Sequence, residues 1–281
     1  MNLTNIDEVK NLLNRHGFRF SKSMGQNFLV ASWVPEDIAE SAGIDENTGV
    51  LEIGPGIGCL TRELSERAGK VLSVELDRSL EKVLAETLAD RQNVTVHFGD
   101  ILKQDLPKLV GEHFEGLRPV VCANLPYNVT SPVLTKLIDS GLFDSITVMV
   151  QREVAKRMCA LPNTADYGAF SIFVQWHTEA KLLFDVPAGC FIPQPKVTSS
   201  VIRLDRREEP PCPVKDEKKM FAVVRAAFNQ RRKTLTNALS SQLKIDKQCV
   251  EKVLLECGLN TTVRGEVLDI PTFAAISDKI Y

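Results

Sequence analysis

The sequence predicts an α/β fold in which a mostly parallel sheet is covered by helices and is followed by a small all-helical C-terminal domain. From Val50 to about Val150, short apolar runs alternate with segments of helical periodicity, as in parallel sheets with helical crossovers. Beyond residues 207–218, which are rich in proline and charge, the patterns are helical only. We therefore expect a first domain of residues 1–205 and a helical domain of residues 206–281.

Five strands and three intervening helices are predicted in the first domain. The strand segments are VLEI (50–53), KVLSVEL (70–76), NVTVHF (93–98), PVVCAN (119–124) and SITVMV (145–150). The helical segments are CLTRELSERA (59–68), SLEKVLAETLA (79–89) and SPVLTKLIDSG (131–141). Further strands or a strand pair are expected at FSIFVQWHTEAKLLFDV (170–186) and TSSVIRLDR (198–206). The second domain has helical patterns at residues 217–243, 246–258 and 269–281.

Composition is that of an ordinary globular protein of 281 residues, with 44% apolar and 25% charged residues. No stretch approaches the ~18 continuous apolar residues that a membrane span needs, and the N-terminal segment lacks the apolar core of a signal peptide. Seven cysteines are scattered without a CxxC pair, and only four histidines occur. We therefore expect neither zinc nor disulfides, and a cytoplasmic protein without a membrane partner.

Charge is distributed unevenly although the net charge is only −2. From Cys190 onward, 16 Lys and Arg residues stand against 11 Asp and Glu, whereas the rest of the chain has 18 against 25. Such a chain can bind a polyanion with its positive end. Candidate phosphate contacts are Arg225, Arg231, Arg232 and Lys233, with Arg225 and Arg232 seven residues apart on one predicted helical face. An ordinary solvated helix face is the alternative.

A glycine-rich turn joins the first predicted strand to the helix that follows it. In LEIGPGIGCLTREL (51–64), the glycines Gly54, Gly56 and Gly58 have the spacing GxGxG. The dinucleotide fingerprint GxGxxG would need glycine at Cys59. Glycine permits a tight turn and a close approach of a ligand to the backbone. A simple connection between strand and helix is the alternative.

Acidic residues lie at the ends of three successive predicted strands, namely Glu52, Glu75 and Asp100. Glu75 follows Gly54 by 21 residues, where a carboxylate accepts hydrogen bonds from ribose hydroxyls. Asp100 is placed to accept from an adenine amino group, although a helix cap explains it equally well. The acids suit a cationic ligand such as S-adenosylmethionine better than a pyrophosphate, which needs donors. This pattern favours a methyltransferase over a nicotinamide-dependent dehydrogenase.

The stretch VVCANLPYNVTSP (120–132) ends an apolar strand with an amide, a proline and an aromatic ring. Because proline cannot donate a hydrogen bond within a sheet, the backbone turns out of the sheet at Pro126. The Asn124 side-chain oxygen and the Leu125 carbonyl then accept the two hydrogens of an exocyclic amine and direct its lone pair at the methyl group. Tyr127 stacks on the base, unless it is a core aromatic.

A stacked nucleobase must be extruded to reach such a pocket, and a second aromatic ring would enclose it. Phe191 is the candidate, in a loop that Pro193 and Pro195 make rigid. A position in the hydrophobic core is an equally good interpretation of Phe191.

Distinctive motifs run nearly from end to end of the chain. They are SKSMGQNFL (21–29), LEIGPGIGCLT (51–61), VELD (74–77), GDIL (99–102), NLPYNVTSP (124–132), QREVAKRM (151–158), FIPQPKVTSSV (191–201) and AFNQRRKTLTNAL (227–239). With these motifs in this order, the chain resembles the rRNA adenine N6,N6-dimethyltransferase family, in particular the bacterial 16S rRNA dimethyladenosine transferases. Departures are small: Val129 and Thr130 stand where the family more often has Ile followed by Ser or Thr, and Met24 precedes GQNFL.

The resemblance implies a Rossmann-like, S-adenosylmethionine-dependent methyltransferase that dimethylates two adjacent adenosines in the 3′-terminal hairpin of 16S rRNA. The implied partner is 16S rRNA in a small-subunit precursor, and we expect a monomer. Tyr127 and Phe191 are implied to flank the target adenine. The implied cofactor-binding residues are Gln26, Asn27, Leu29, Gly54, Glu75, Asp100 and Asn124. Without the resemblance, residues 26–29 are predicted only as a polar loop that leads into a helix.

Two alternatives share parts of this pattern. One is a resistance-type methyltransferase that acts on an adenine of 23S rRNA, and the other is a non-catalytic assembly or transcription factor with the same fold. The stretches NLPYNVTSP and AFNQRRKTLTNAL favour the 16S enzyme. The simultaneous presence of Glu75, Asp100, Asn124 and Tyr127 favours catalysis.

Overall fold

The computed structural model describes residues 1–20 and 25–281, which divide into two compact units. The first unit comprises Met1–Ala155 and Lys181–Arg206, and the second comprises Lys156–Ala180 and Arg207–Tyr281. Residues 21–24, which begin the motif SKSMGQNFL, lie outside the described residues. Each unit has its own cluster of buried apolar side chains.

The first unit is built around a mostly parallel sheet, as the sequence predicts. The strands are β1 (Phe28–Leu29), β2 (Thr48–Ile53), β3 (Lys70–Glu75), β4 (Val94–Phe98), β5 (Arg118–Asn124), β6 (Ser145–Gln151), β7 (Thr178–Val186), β8 (Phe191–Ile192) and β9 (Ser199–Arg206). Strands β1 and β8 form an antiparallel pair, and the others form one sheet in the order β4-β3-β2-β5-β6-β9-β7. Pairing is parallel from β4 to β6 and antiparallel between β6 and β9. All five predicted parallel strands are confirmed.

Helices alternate with the parallel strands in the first unit and make up most of the second unit. They are α1 (Ile6–Arg15), α2 (Trp33–Ser41), α3 (Cys59–Arg67), α4 (Glu81–Thr87), α5 (Leu106–His113), α6 (Thr130–Ser140), α7 (Arg152–Met158), α8 (Ala169–His177), α9 (Glu217–Asn229), α10 (Leu235–Leu243), α11 (Lys247–Glu256) and α12 (Ile270–Ile280). The predicted α/β fold class is therefore confirmed, including the helical C-terminal region. Over residues 1–20 and 25–281, we find no helix with the length and apolar character of a membrane span.

The order of the parallel strands reverses between β2 and β5, and this reversal determines where a ligand can bind. Val50 lies opposite Val120 and Leu51 opposite Val121 in the parallel pair, and these residues are almost completely buried. Burial on both faces explains why such strands are continuously apolar rather than alternating. Helices leave neighbouring strands in opposite directions at a reversal, so a crevice opens at the carboxyl ends of β2 and β5.

Residues 169–177 form the helix α8, whereas the sequence predicts a strand over 170–186. The strand prediction is correct only for β7. Ile172, Val174 and Trp176 are all buried at a spacing of two residues, which imitates a strand. The segment is instead surrounded by apolar neighbours, and the ring of Trp176 lies 6.1 Å from that of Phe221. Tertiary packing thus overrides the β-propensity of these side chains.

Residues 156–180 belong to the second unit, which differs from the predicted boundary after residue 205. Tyr167 shows why. Its ring lies edge-on to Phe228 at 5.9 Å, and its hydroxyl donates a 2.9 Å hydrogen bond to the Leu268 carbonyl. The partner carbonyl is 101 residues away in the sequence, so local pattern carries no sign of this contact.

Replacing Tyr167 by Phe should lower the free energy of unfolding by about 1–2 kcal/mol, because the buried Leu268 carbonyl loses its donor while the ring still fills its space. Urea denaturation measures the change. The control is Tyr281→Phe, which removes the same hydroxyl from a residue that is 54% exposed and should leave the stability unchanged. Equal stability of Tyr167→Phe and the wild type would contradict the role of this hydrogen bond.

Candidate active site

A cavity opens at the carboxyl ends of β2, β3 and β5, with the turn after β4 at its side. Residues 25–29, which we call the strap, complete its wall. The predicted site residues that line it are Gln26, Asn27, Leu29, Gly54, Glu75, Asp100, Asn124, Leu125 and Tyr127. Glu52 and Asp77 also line it, and no described lining residue is Lys, Arg or His. The cavity is therefore negatively charged.

The glycine-rich turn after β2 brings backbone close to two other parts of the site. Gly54 and Gly56 have φ values of +70° and +60°, which residues other than glycine rarely adopt. A Cβ atom at Gly54 would lie 3.6 Å from the ring of Pro126, and one at Gly56 would lie 3.1 Å from the ring of Phe28. Glycine at both positions thus allows the turn to pack closely against the rings of Pro126 and Phe28.

Glu75 is held rigidly at the end of β3. Its side chain is buried, and its two oxygens accept hydrogen bonds from the backbone N–H groups of Gly56 (3.2 Å) and Asp77 (2.8 Å). Burial raises the pKa of the Glu75 carboxyl, and these backbone hydrogen bonds oppose the rise. Each carboxylate oxygen keeps a second lone pair, so both can still accept from a ligand hydroxyl.

The sequence predicts either a helix cap or a ligand contact for Asp100, and its position is compatible with both. One carboxylate oxygen caps the short 3₁₀-helix Ile101–Lys103 by accepting from the Leu102 N–H at 2.9 Å. The residue also lines the cavity. The cap fixes the orientation of the carboxylate. Its other oxygen lies 4.0 Å from the exposed ammonium group of Lys103, beyond hydrogen-bond distance, so it can still accept from a ligand.

Glu52 is the most deeply buried acid of the site, with 1% of its surface exposed. The hydroxyls of Thr61 (2.7 Å) and Ser73 (2.6 Å) both donate to one of its oxygens. Burial raises the pKa of the Glu52 carboxyl to about 7, although these two hydrogen bonds oppose the rise. Its protonation state therefore changes near neutral pH.

The Asn124 side chain has a defined orientation at the end of β5. Its Nδ2 group donates to the Asn27 carbonyl of the strap at 3.4 Å, which leaves Oδ1 as the hydrogen-bond acceptor of the amide. The following backbone is also held, because the Leu125 N–H donates to the Met149 carbonyl of β6 at 3.1 Å. An acceptor, rather than a donor, is thus available to a bound amine.

Of the two aromatic residues predicted to enclose the base, Tyr127 and Phe191, only Tyr127 lines the cavity. Tyr127 lines the cavity and is anchored through a 2.5 Å hydrogen bond between its hydroxyl and that of Ser199. Phe191 is 4% exposed, belongs to the core cluster, and is not among the described residues that line the cavity. It lies opposite Leu29 in the pair β1–β8. The core position is thus the one that the structure shows for Phe191.

Similarity to known proteins bears on this geometry. The family model described as ribosomal RNA adenine dimethylase matches residues 17–275. The chain belongs to this family. Proteins named ribosomal RNA small subunit methyltransferase A include one from Clostridium perfringens, 46% identical over 283 positions that cover 100% of this chain and 98% of the relative. The protein of that name from Bacillus licheniformis is 46% identical over 277 positions, covering 97% and 95%.

Solved structures agree with this membership. A dimethyladenosine transferase from Plasmodium falciparum has a TM-score of 0.74 and 27% identity, covering 88% of this chain and 95% of that one. The 23S rRNA methyltransferase ErmE has a TM-score of 0.70 and 27% identity, covering 90% and 99%. The Rossmann-like fold and the predicted enzyme class, an rRNA adenine methyltransferase, are therefore confirmed.

The strap of this dimethylase is the part of the site that residue-level reasoning missed. Gln26 donates from Nε2 to a carboxylate oxygen of Asp77 at 2.6 Å, and the backbone of Phe28 and Leu29 pairs with β8. Asp77 was not predicted as a site residue either. Only its position two residues after Glu75 in VELD could have indicated it.

The basic residues predicted to face phosphate do not share one helical face. Helix α9 ends at Asn229, so Arg225 lies on the helix while Arg231, Arg232 and Lys233 lie in the turn before α10. All four are exposed. The guanidinium of Arg231 donates to the Ala165 carbonyl at 2.8 Å, so this side chain also holds the second unit together. The prediction of a shared helical face, based on a spacing of seven residues, is therefore wrong.

The pKa of Glu52 has a consequence for stability. Because its pKa is raised from an ordinary 4.5 to about 7, the native state binds a proton more tightly than the unfolded chain. The stability that this group contributes is therefore complete below pH 4.5 and is lost as the pH rises through 7, at up to about 1.4 kcal/mol per pH unit.

Glu52→Gln abolishes the titration and keeps an oxygen that accepts from Thr61 and Ser73. We expect the unfolding free energy of the variant, minus that of the wild type, to increase between pH 5 and pH 7. Urea unfolding of the ligand-free proteins across this range measures the difference. A difference that stays constant with pH would contradict the raised pKa.

Proposed function

We propose that the chain binds S-adenosylmethionine in this cavity and dimethylates N6 of two adjacent adenosines in the 3′-terminal hairpin of 16S rRNA, acting on a small-subunit precursor. The observation that carries the proposal is the orientation of Asn124, whose amide oxygen is the acceptor at the edge of an acidic cavity. The 45–46% identity to proteins named ribosomal RNA small subunit methyltransferase A supports the choice of subunit. The solved 23S rRNA methyltransferase is 27% identical.

The hydrogen-bond acceptors and the negative charge of the cavity fit S-adenosylmethionine. Glu75 accepts from the ribose hydroxyls, Asp100 accepts from the adenine amino group, and the turn at Gly54 and Gly56 leaves space that a Cβ atom would fill. No described lining residue offers the positive charge that a pyrophosphate needs. When bound, the cofactor supplies a methyl group on a positively charged sulfur, which the acidic cavity favours.

The turn after β5 holds the amine that receives the methyl group. Asn124 Oδ1 and the Leu125 carbonyl each accept one hydrogen of the adenine N6 amine, which directs the nitrogen lone pair at the methyl donor. Positive charge that develops on nitrogen is stabilised by these two fixed dipoles. No strong base is required, since the nitrogen becomes acidic only after it is methylated. Tyr127 stacks on the base, a contribution of about 1–3 kcal/mol.

The second unit provides phosphate contacts through Arg225, Arg232 and Lys233, for which the described residues contain no ion-pair partner. Arg231 contributes both to the fold and to this basic surface. Phosphate contacts supply affinity that is independent of sequence, whereas the cavity chooses the base. Recognition of the hairpin then depends on RNA shape.

Replacing Asn124 by Ala should lower kcat for methyl transfer by about 10²–10³-fold, because the amine loses one of its two acceptors. The dissociation constant of S-adenosylmethionine should change little, since ribose and adenine are held elsewhere. The assay uses small subunits and, separately, large subunits from cells that lack the protein, with dimethyladenosine counted by mass spectrometry. Asn14→Ala, an exposed amide in α1, is the control. Unchanged turnover of Asn124→Ala, or dimethyladenosine formed in 23S rRNA only, would contradict the proposal.

Replacing Arg232 and Lys233 together by Ala should weaken RNA binding and reduce the dependence of log K on log salt by about one unit per lost contact. Filter binding of 16S rRNA at several salt concentrations measures both quantities. Lys247 and Lys252, exposed on α11 of the same unit, form a control pair with the same loss of charge. An equal effect of both pairs, or an unchanged slope, would show that the turn is not a specific phosphate contact.

A further inference from the structure

The strap touches both halves of the cavity. On the cofactor side, Gln26 Nε2 donates to Asp77 Oδ2 at 2.6 Å. On the turn side, the Asn27 carbonyl accepts from Asn124 Nδ2 at 3.4 Å. These two contacts come from adjacent residues, so a shift of the backbone at Gln26 also moves the Asn27 carbonyl.

Asp77 has all of its polar side-chain atoms in use. Oδ1 accepts from the Ser79 N–H at 2.9 Å and caps a short 3₁₀-helix, while Oδ2 accepts from Gln26. Its own N–H donates to Glu75 Oε1 at 2.8 Å. Burial acts to raise the pKa of Asp77, but the hydrogen bonds from Ser79 and Gln26 lower it below its usual value. An ionised acceptor therefore holds the strap at neutral pH, and hydrogen bonds to a charged acceptor are stronger than neutral ones.

A continuous set of contacts thus leads from the proposed ribose-binding carboxylate to the amide that orients the amine. The Glu75 carboxylate accepts a hydrogen bond from the Asp77 N–H, and the Asp77 carboxylate accepts one from Gln26. The carbonyl of the next residue, Asn27, accepts one from Asn124. The last contact, at 3.4 Å, is close to the limit of a hydrogen bond, so a shift of a few tenths of an ångström breaks it.

Loss of the last contact has a specific chemical effect. An Asn side chain presents an acceptor on one side and a donor on the other, and a hydrogen bond to one of them determines which faces the ligand. Without the Asn27 carbonyl, the Asn124 amide is free to rotate and can present its NH₂ group to the amine. Two donors then face each other, and the amine is no longer aligned.

We propose that Asp77 is a positioning residue, which acts through Gln26 and the strap to keep the Asn124 oxygen directed at the substrate amine. This inference rests on the proposed function, because it assumes that Asn124 accepts from the amine that is methylated. It gives the strap a role in alignment that is distinct from lining the cofactor pocket.

The test compares Asp77→Ser with the wild type. Serine retains an oxygen that can cap at Ser79 but is too short to reach Gln26. We expect kcat to fall about 10-fold to about 100-fold, while the KM for small subunits and the affinity for S-adenosylhomocysteine, measured by calorimetry, stay within about threefold. Asp77→Asn should restore most of the activity, since its amide both caps Ser79 and donates to a rotated Gln26 amide.

A double-mutant cycle separates positioning from a structural role. If Asp77 acts through Asn124, then Asp77→Ser should cause little further loss in the Asn124→Ala background. Additive losses, or weaker S-adenosylhomocysteine binding with unchanged kcat, would overturn the proposal. Gln26→Ala leaves the cap at Ser79 intact and should give the same non-additivity, so it decides the question if Asp77→Ser does not fold.

Failure of the proposed function has a different signature. In that case the wild-type protein itself forms no dimethyladenosine in small subunits, whatever the behaviour of the variants. If the wild type is active and the Asp77 and Gln26 variants show no loss of kcat, only the positioning role is overturned.

Discussion

The site depends on the close approach of two backbone turns, one after β2 and one after β5. The two strands are neighbours because the strand order reverses between them, and they end at the same edge of the sheet. A Cβ at Gly54 would lie 3.6 Å from the ring of Pro126, so glycine and proline together allow the two turns to approach each other closely. The acids at the ends of β3 and β4 are useful only because this crevice exists beside them.

The cavity concentrates negative charge that a folded protein ordinarily avoids. Glu52 and Glu75 are both buried, and each is satisfied by hydrogen bonds from hydroxyls or backbone N–H groups. Burial raises the pKa of both carboxyls, so the ligand-free protein carries an electrostatic cost at neutral pH. A positively charged ligand relieves that cost, which connects the stability of the empty fold with its affinity for a cationic cofactor.

Contacts between distant parts of the chain determine the orientation of the side chains in the turn after β5. The Asn124 amide is oriented by a carbonyl that lies 97 residues earlier, and Tyr127 is anchored by a hydroxyl that lies 72 residues later. This chain therefore brings together an acceptor, an aromatic ring and an acidic cavity from segments that are far apart in the sequence. The strap thus contributes to the geometry of the site together with the strands.

The amino-acid sequence alone determined the parallel sheet, the glycine turn and the acids at strand ends, because apolar periodicity and strand-end position are local properties. It also indicated Asn124 and Tyr127, since a proline forces the chain out of the sheet beside them. Only the tertiary structure decided that residues 169–177 are helical, that Phe191 is buried in the core, and that α9 ends before Arg231. Those outcomes depend on which surfaces meet across long sequence separations, and no local pattern records such contacts.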